Sequence, residues 1–167
     1  VEDGHDGVMG QLCRGARLAD EPRDELVVDG KLRMHDLEGD DPVEPLAGHA
    51  APVSFTGQEQ DVPETAFLGD PHARLKVLIP DTPGADMAVN VFTYDPGATL
   101  PFVETHVMEH GMLFLQGGGI YRLDADWYPV TAGDAIWIAP YCPQWFIAAG
   151  PGPARYIYYK DVNRLPA

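Results

Sequence analysis

The sequence predicts an all-β domain, either a sandwich or a barrel, in the part of the chain that follows residue 51. Short apolar runs of the β type recur there at close spacing, and turn-forming residues separate them. No helical period is sustained over a long stretch. The 18 glycines and 16 prolines among 167 residues also favour many turns and short strands.

Nine of these runs are predicted to be strands. Each is rich in β-branched, aromatic or other apolar residues and is bounded by breakers such as Pro96-Gly97 and Gly133-Asp134. In chain order they are residues 74–79, 87–94, 102–107, 112–116, 120–123, 127–130, 135–138, 145–148 and 155–160. Strands at this spacing are typical of antiparallel sandwiches and barrels.

Residues 1–51 are predicted to form a separate acidic N-terminal arm, and residues 52–167 the folded domain. The formal net charge is -15, and residues 1–70 hold 17 acidic against 5 basic side chains, which argues against nucleic acid as a partner. No apolar run approaches the roughly 20 residues of a membrane helix, and no signal-peptide pattern opens the chain. Cys13 and Cys142 form no C-x-x-C pair, so reduced thiols and a cytoplasmic location are expected.

Glu104, His106 and His110 form a cluster that is typical of a metal site. On a strand, alternate residues share a face, so Glu104 and His106 would point the same way, and His110 has the same parity. A fourth donor is expected from a distant strand, and Gln144 is well placed to supply it. Nitrogen and oxygen donors suit manganese, iron, zinc or nickel, which indicates a metal-dependent enzyme.

The same stretch contains a rival motif. Residues 106–110 read H-x-x-E-H, a zinc-peptidase pattern in which both imidazoles lie on one face of a helix. Pro101 upstream, Gly111 downstream and the β-type residues between them oppose a helix here. The peptidase interpretation is therefore disfavoured.

Several motifs in this region together resemble the two-part motif of the cupins. They are Gly97, Glu104-x-His106-x-x-x-His110, Gly117, Pro129-x-x-x-Gly133-Asp134 and Pro140-x-x-x-Gln144. Cupins usually carry His-x-His and Glu in the first part and a third His in the second. The order of ligands found here resembles instead the C-terminal cupin domain of the (S)-ureidoglycine aminohydrolase family. The resemblance implies a cupin fold (a double-stranded β-helix or jelly-roll barrel) with an extended N-terminal arm.

The resemblance also implies an activity and a set of site residues. The activity is the manganese-dependent release of ammonia from (S)-ureidoglycine, giving (S)-ureidoglycolate in purine (allantoin) degradation. The implied metal ligands are Glu104, His106, His110 and Gln144, and another divalent metal is compatible with them. Glu104 and Lys160 would be catalytic, and the substrate would contact Glu104, Gln144, Tyr156 and Lys160. Strand alternation adds Tyr121 to the substrate-binding residues, because it faces the barrel interior if Ile120 and Arg122 face out.

One departure from that family concerns length. Its members typically carry two cupin domains, and residues 1–51 are too short for a complete first one. These residues are therefore either an arm or the remnant of a first cupin. The sequence would then be a piece of a longer chain, or a partner subunit would replace the missing domain. Association through sheet edges further predicts a homo-oligomer.

Two other functions are weighed against the hydrolase. One is a cupin oxygenase that uses iron or nickel, which would usually keep three His ligands. The other is a non-catalytic, small-molecule-binding cupin, which would be expected to have a degraded ligand set. All four proposed donors are present in this chain, and a small-molecule substrate is the expected partner.

Overall fold

A computed structural model describes residues 56–163 of the chain. The predicted N-terminal arm, residues 1–51, and its boundary with the folded domain lie outside the described residues. Among residues 56–163, no helix is long and apolar enough to cross a membrane.

The described part of the chain contains nine strands, preceded by a single 3-10 turn at Glu59–Asp61. The strands are β1 (Thr65–Phe67), β2 (Asp70–Ile79), β3 (Met87–Tyr94), β4 (His110–Gln116), β5 (Gly118–Leu123), β6 (Asp126–Thr131), β7 (Ala135–Ile138), β8 (Gln144–Ala148) and β9 (Ala154–Asp161). Eight of them contain or coincide with predicted strands, which confirms the all-β prediction.

The strands form two antiparallel sheets. The larger sheet has the order β1-β2-β3-β9-β4-β7, and the smaller has the order β6-β5-β8. Aromatic rings of the two sheets meet in the core between them: Phe114 lies 5.5 Å and Tyr94 5.1 Å from Phe146, measured between ring centroids. Burial of these large side chains is the main stabilising term of such a core.

The predicted strand at residues 102–107 is wrong, and β1 was not predicted. Residues 95–109 form a connection between β3 and β4 that pairs with β8 only at the isolated bridges Thr99↔Ile147 and Glu104↔Gln144. Thr99 and Glu104 are five residues apart in the sequence, but their partners Ile147 and Gln144 are only three apart. The chain therefore bulges outward between them, which leaves Phe102 and Val103 exposed.

Strand β9 lies in the centre of the larger sheet, between β3 and β4. Its register pairs Tyr156 with Phe114, Tyr158 with Met112, and Lys160 with His110. Because alternate residues of a strand share a face, Tyr156, Tyr158 and Lys160 all point toward the interior between the sheets. This register brings a lysine and a histidine side by side at one end of the core.

Gly119 allows a close approach between β5 and β8. A Cβ atom at this position would meet the backbone carbonyl oxygen of Ile147, and would lie 2.7 Å from the Phe146 ring. Neither group can move without disturbing the pairing of the smaller sheet. A side chain at residue 119 is therefore expected to force the two strands apart.

We expect Gly119→Ala to lower the free energy of unfolding by about 1–3 kcal/mol, the range for overpacked interiors. The measurement is urea denaturation of the full 167-residue chain. Gly152→Ala is the matched control, because a Cβ there has nothing within 4 Å. Equal unfolding midpoints for the two variants would contradict this account of residue 119.

Candidate metal and substrate site

A small cavity lies between the two sheets at the end where Lys160 and His110 meet. Its volume is about 80 Å³. The lining residues are Phe67, Phe92, Glu104, His110, Met112, Tyr121, Gln144, Tyr156, Tyr158 and Lys160. Sites for drug-sized ligands occupy roughly 300–1,000 Å³, so this cavity suits a ligand of few atoms.

Gln144 is the polar centre of the site. It is the first residue of β8, is 1% exposed, and shares two backbone hydrogen bonds with Glu104, so the Glu104 backbone is fixed beside it. The Tyr121 hydroxyl donates to its Oε1 over 2.6 Å. Its Nε2 lies 3.3 Å from both His106 Nε2 and His110 Nδ1.

The two imidazoles therefore face one point. Their ring centroids are 4.5 Å apart. His106 Nδ1 lies 2.9 Å from the carbonyl oxygen of Met108. Since a carbonyl can only accept, Nδ1 carries the proton and Nε2 keeps its lone pair toward Gln144.

Both imidazoles are held in the neutral form. Burial, with smaller effects from His106 and Lys160, lowers the pKa of His110 to about 3. Burial and the charge of Lys160 also lower the pKa of His106, against the opposing effects of the Met108 carbonyl and Asp161. Neutral rings at neutral pH leave their lone pairs free for a metal ion.

Lys160 and Glu104 provide the charges of the cavity. Burial raises the pKa of the Glu104 carboxyl, and the nearby Lys160 partly offsets this. No carboxylate of residues 56–163 forms an ion pair with Lys160, whereas Arg74, Lys76 and Arg155 each have one. Among these cations, Lys160 is the one available to an anionic ligand.

The donor set fits a divalent metal through its nitrogen and amide groups. Two neutral imidazoles converge on the amide of Gln144, and His110 Nε2 is a buried nitrogen without a hydrogen-bond partner in the described part of the chain. No three His, Cys, Asp or Glu side chains of residues 56–163 form a metal-binding group by themselves. The fit therefore depends on Gln144 as the third donor, with Glu104 in the same cavity wall.

All of the residues that the sequence singled out lie together. His106 adjoins the cavity through Gln144 and His110, and Glu104, Tyr121, Gln144, Tyr156 and Lys160 line it. The Tyr156 hydroxyl lies 3.1 Å from that of Tyr94. Residues 106–109 lie in a connection before β4 rather than in a helix, which removes the structural basis of the H-x-x-E-H peptidase motif.

Sequence reasoning missed four apolar or aromatic lining residues: Phe67, Phe92, Met112 and Tyr158. Tyr158 could have been found, because it alternates with Tyr156 and Lys160 along β9. Phe92 and Met112 become visible only when β3 and β4 are placed beside β9. Phe67 lies on β1, for which the sequence carried no strand signal, and it packs at 4.8 Å against Phe92.

The chain is similar to several known proteins. Residues 90–159 match the family model described as a cupin domain. The (S)-ureidoglycine aminohydrolase of Arabidopsis thaliana is 48% identical over 92 residues, which cover 55% of this chain and 31% of that protein. The (S)-ureidoglycine aminohydrolase of Escherichia coli (strain K12) is 37% identical over 121 residues, 72% of this chain and 46% of that protein.

A solved structure shows the same fold. The protein Ylba from E. coli superposes with a TM-score of 0.61 at 33% identity, covering 74% of this chain and 47% of that one. The chain thus spans less than half the length of each of these relatives. The cupin fold predicted for this region is confirmed.

We expect Tyr121→Phe to leave Gln144 Oε1 buried without its donor, which lowers the free energy of unfolding by about 1–3 kcal/mol. The measurement is urea denaturation in the presence of a chelator. Tyr128→Phe is the control, because Tyr128 pairs with Tyr121 across β5 and β6 but its hydroxyl has no hydrogen-bond partner among the described residues. Equal losses in the two variants would show that the hydroxyl bond to Gln144 contributes nothing.

Proposed function

We propose that this chain, whose residues 90–159 match a cupin domain, is a metal-dependent hydrolase that releases ammonia from (S)-ureidoglycine and gives (S)-ureidoglycolate. One observation carries this proposal: Lys160, which has no carboxylate partner among residues 56–163, lines the same small cavity as His110, and His106 adjoins that cavity through Gln144 and His110. The relatives with this named activity, at 37% to 48% identity, supply the choice of substrate.

Glu104, His106, His110 and Gln144 would hold the metal, and manganese is the ion we propose. When bound, the ion supplies a Lewis acid that can anchor the substrate or lower the pKa of water. Gln144 would have to turn its amide over to offer Oε1. The Tyr121 hydroxyl can then accept from Nε2, since a hydroxyl both donates and accepts.

The substrate of this reaction is a small anion that carries a ureido group and an amine on one carbon. Lys160 would bind its carboxylate as a point charge. Tyr156 and Tyr158, with Phe92 behind them, form an aromatic wall that limits the size of the ligand. Burial raises the pKa of Tyr158 to about 12, so its hydroxyl stays protonated and can donate to the substrate.

In the reaction, the bond between the central carbon and its amine breaks, a bond to the oxygen of water forms, and the amine leaves as ammonia. The water must lose a proton and the amine must gain one. Glu104 is the group that we assign to this transfer, because burial raises the pKa of its carboxyl and brings it closer to the operating pH. Lys160 would hold the carboxylate still during the exchange.

We also propose that residues 52–167 form the metal-binding domain and that copies of the chain associate. Among residues 56–163, the larger sheet ends at β1 on one side and at β7 on the other, and exposed strand edges can pair with another chain. An iron or nickel oxygenase and a non-catalytic binding cupin are the alternatives. Oxygen uptake would support the first, and metal-loaded protein without turnover the second.

We expect His106→Ala to lower manganese affinity by more than about 100-fold, beyond the usual effect of losing an outer-shell partner. The metal retained after dialysis is measured by inductively coupled plasma mass spectrometry. His72→Ala is the control, because the side chain of His72 is 67% exposed and pairs with Asp95. Equal retention by both variants would remove His106 from the metal site.

We expect Lys160→Met to keep its manganese but to lower kcat/KM for freshly made ureidoglycine by about 10–100-fold. The reason is the loss of one hydrogen bond to a charged group, which contributes roughly 1.5–3 kcal/mol. Ammonia release is followed against the spontaneous rate. Lys76→Met is the control, since Lys76 pairs with Glu59 and does not line the cavity.

Two results would count against the proposal in different ways. Metal-loaded wild-type protein that releases no ammonia above the spontaneous rate would end the hydrolase assignment. Unchanged kinetics in Lys160→Met, with an active wild type, would leave the hydrolase assignment intact and remove only the role of Lys160.

A further inference from the structure

The peptide unit between Met108 and Glu109 makes two hydrogen bonds at opposite ends. Its carbonyl oxygen accepts from His106 Nδ1 over 2.9 Å. Its N–H, from Glu109, donates over 2.6 Å to the carboxylate oxygen Oδ1 of Asp161. A carboxylate is thus connected to the imidazole through one peptide group.

The hydrogen bond to Asp161 lies in a segment whose backbone makes few other hydrogen bonds among the described residues. Backbone hydrogen bonds join the first part of the connection between β3 and β4 to β8 and to the residues just before β8. The last of these bonds runs from Tyr141 N to His106 O. Within the described part of the chain, the hydrogen bond from Glu109 N to Asp161 joins the backbone of residues 107–109 to another strand. Asp161 follows Lys160, which pairs with His110, so its carboxylate lies beside residue 109.

The Asp161 carboxylate polarises the Met108–Glu109 peptide group. A negative carboxylate that accepts from one end of a peptide makes the carbonyl at the other end a stronger acceptor. The stronger acceptor favours the proton on Nδ1 of His106, and therefore the lone pair on Nε2. Histidines that bind metals usually have such an outer partner on the second ring nitrogen, which fixes the tautomer and orients the ring.

We infer that Asp161 is a positioning residue that acts on His106 through the Met108–Glu109 peptide and fixes the ring with Nε2 toward Gln144 and His110. The inference rests on the metal site of the proposed function and not on the identity of its substrate. It also connects that site to the strand that carries Lys160.

The test compares Asp161→Ala, which removes the acceptor, with Asp161→Asn, which keeps a neutral one. Manganese affinity of the full chain is measured by titration calorimetry. We expect a loss of about 10–100-fold in Asp161→Ala, the range for outer-shell partners, and a smaller loss in Asp161→Asn. A second readout, nitrogen-15 NMR of the metal-free protein, should show the Nδ1–H tautomer of His106 in the wild type and in Asp161→Asn, and a mixture of tautomers in Asp161→Ala.

Asn163→Ala is the control for a general loosening of the end of β9. Asn163 donates to the carbonyl oxygens of Thr82 and Ala85, both at 2.8 Å, so its loss affects stability without touching residues 106–110. We expect unchanged manganese affinity and an unchanged His106 tautomer in this variant. An equal loss of affinity in Asn163→Ala and Asp161→Ala would overturn the inference.

The outcomes also separate this inference from the proposed function. Full manganese affinity and the Nδ1–H tautomer in Asp161→Ala would overturn the role of Asp161 and leave the hydrolase assignment intact. A wild-type chain that binds no manganese would overturn both. A wild type that binds manganese but releases no ammonia would end the hydrolase assignment alone.

Discussion

The register of β9 between β3 and β4 is the constraint on which the site depends. It pairs Lys160 with His110 and directs Tyr156, Tyr158 and Lys160 into the space between the sheets. A slip of one residue would turn every side chain of β9 to the opposite face. Ile157, Tyr159 and Asp161 would then point inward, and the cavity would lose its cation. Ladders on both sides of β9 hold the register along its length.

The buried polar residues of the site are stabilised by hydrogen bonds with one another. Gln144 accepts from Tyr121, faces both imidazoles with its amide nitrogen, and exchanges backbone bonds with Glu104. Burying such groups without partners would cost several kilocalories per mole. The same burial keeps the imidazoles neutral and raises the pKa of the Glu104 carboxyl. Stability and chemistry in this site therefore have a common cause.

Charge is distributed differently on the two faces of the larger sheet. Arg74 pairs with Asp95 and Glu64, while Lys76 and Arg155 share Glu59, and all of these pairs lie away from the cavity. Lys160 lies on the interior face and has no such partner among residues 56–163. Exposed ion pairs contribute little to stability. An ammonium group that lines a cavity and has no carboxylate partner in the described part of the chain is more informative, because it leaves a charge for a ligand to neutralise.

The sequence by itself determined eight of the nine strands, because alternating apolar residues and Gly or Pro turns are local signals. It also identified the ligand candidates, since Glu104, His106 and His110 are close in the chain. It failed at residues 102–107, where alternation suggested a strand but the two bridges to β8 are unequally spaced. Only the tertiary structure placed Tyr158, Phe92 and Met112 in one cavity wall and joined Asp161 to the peptide that follows Met108. These contacts depend on strand order and register, which are set by long-range pairing and not by any local pattern.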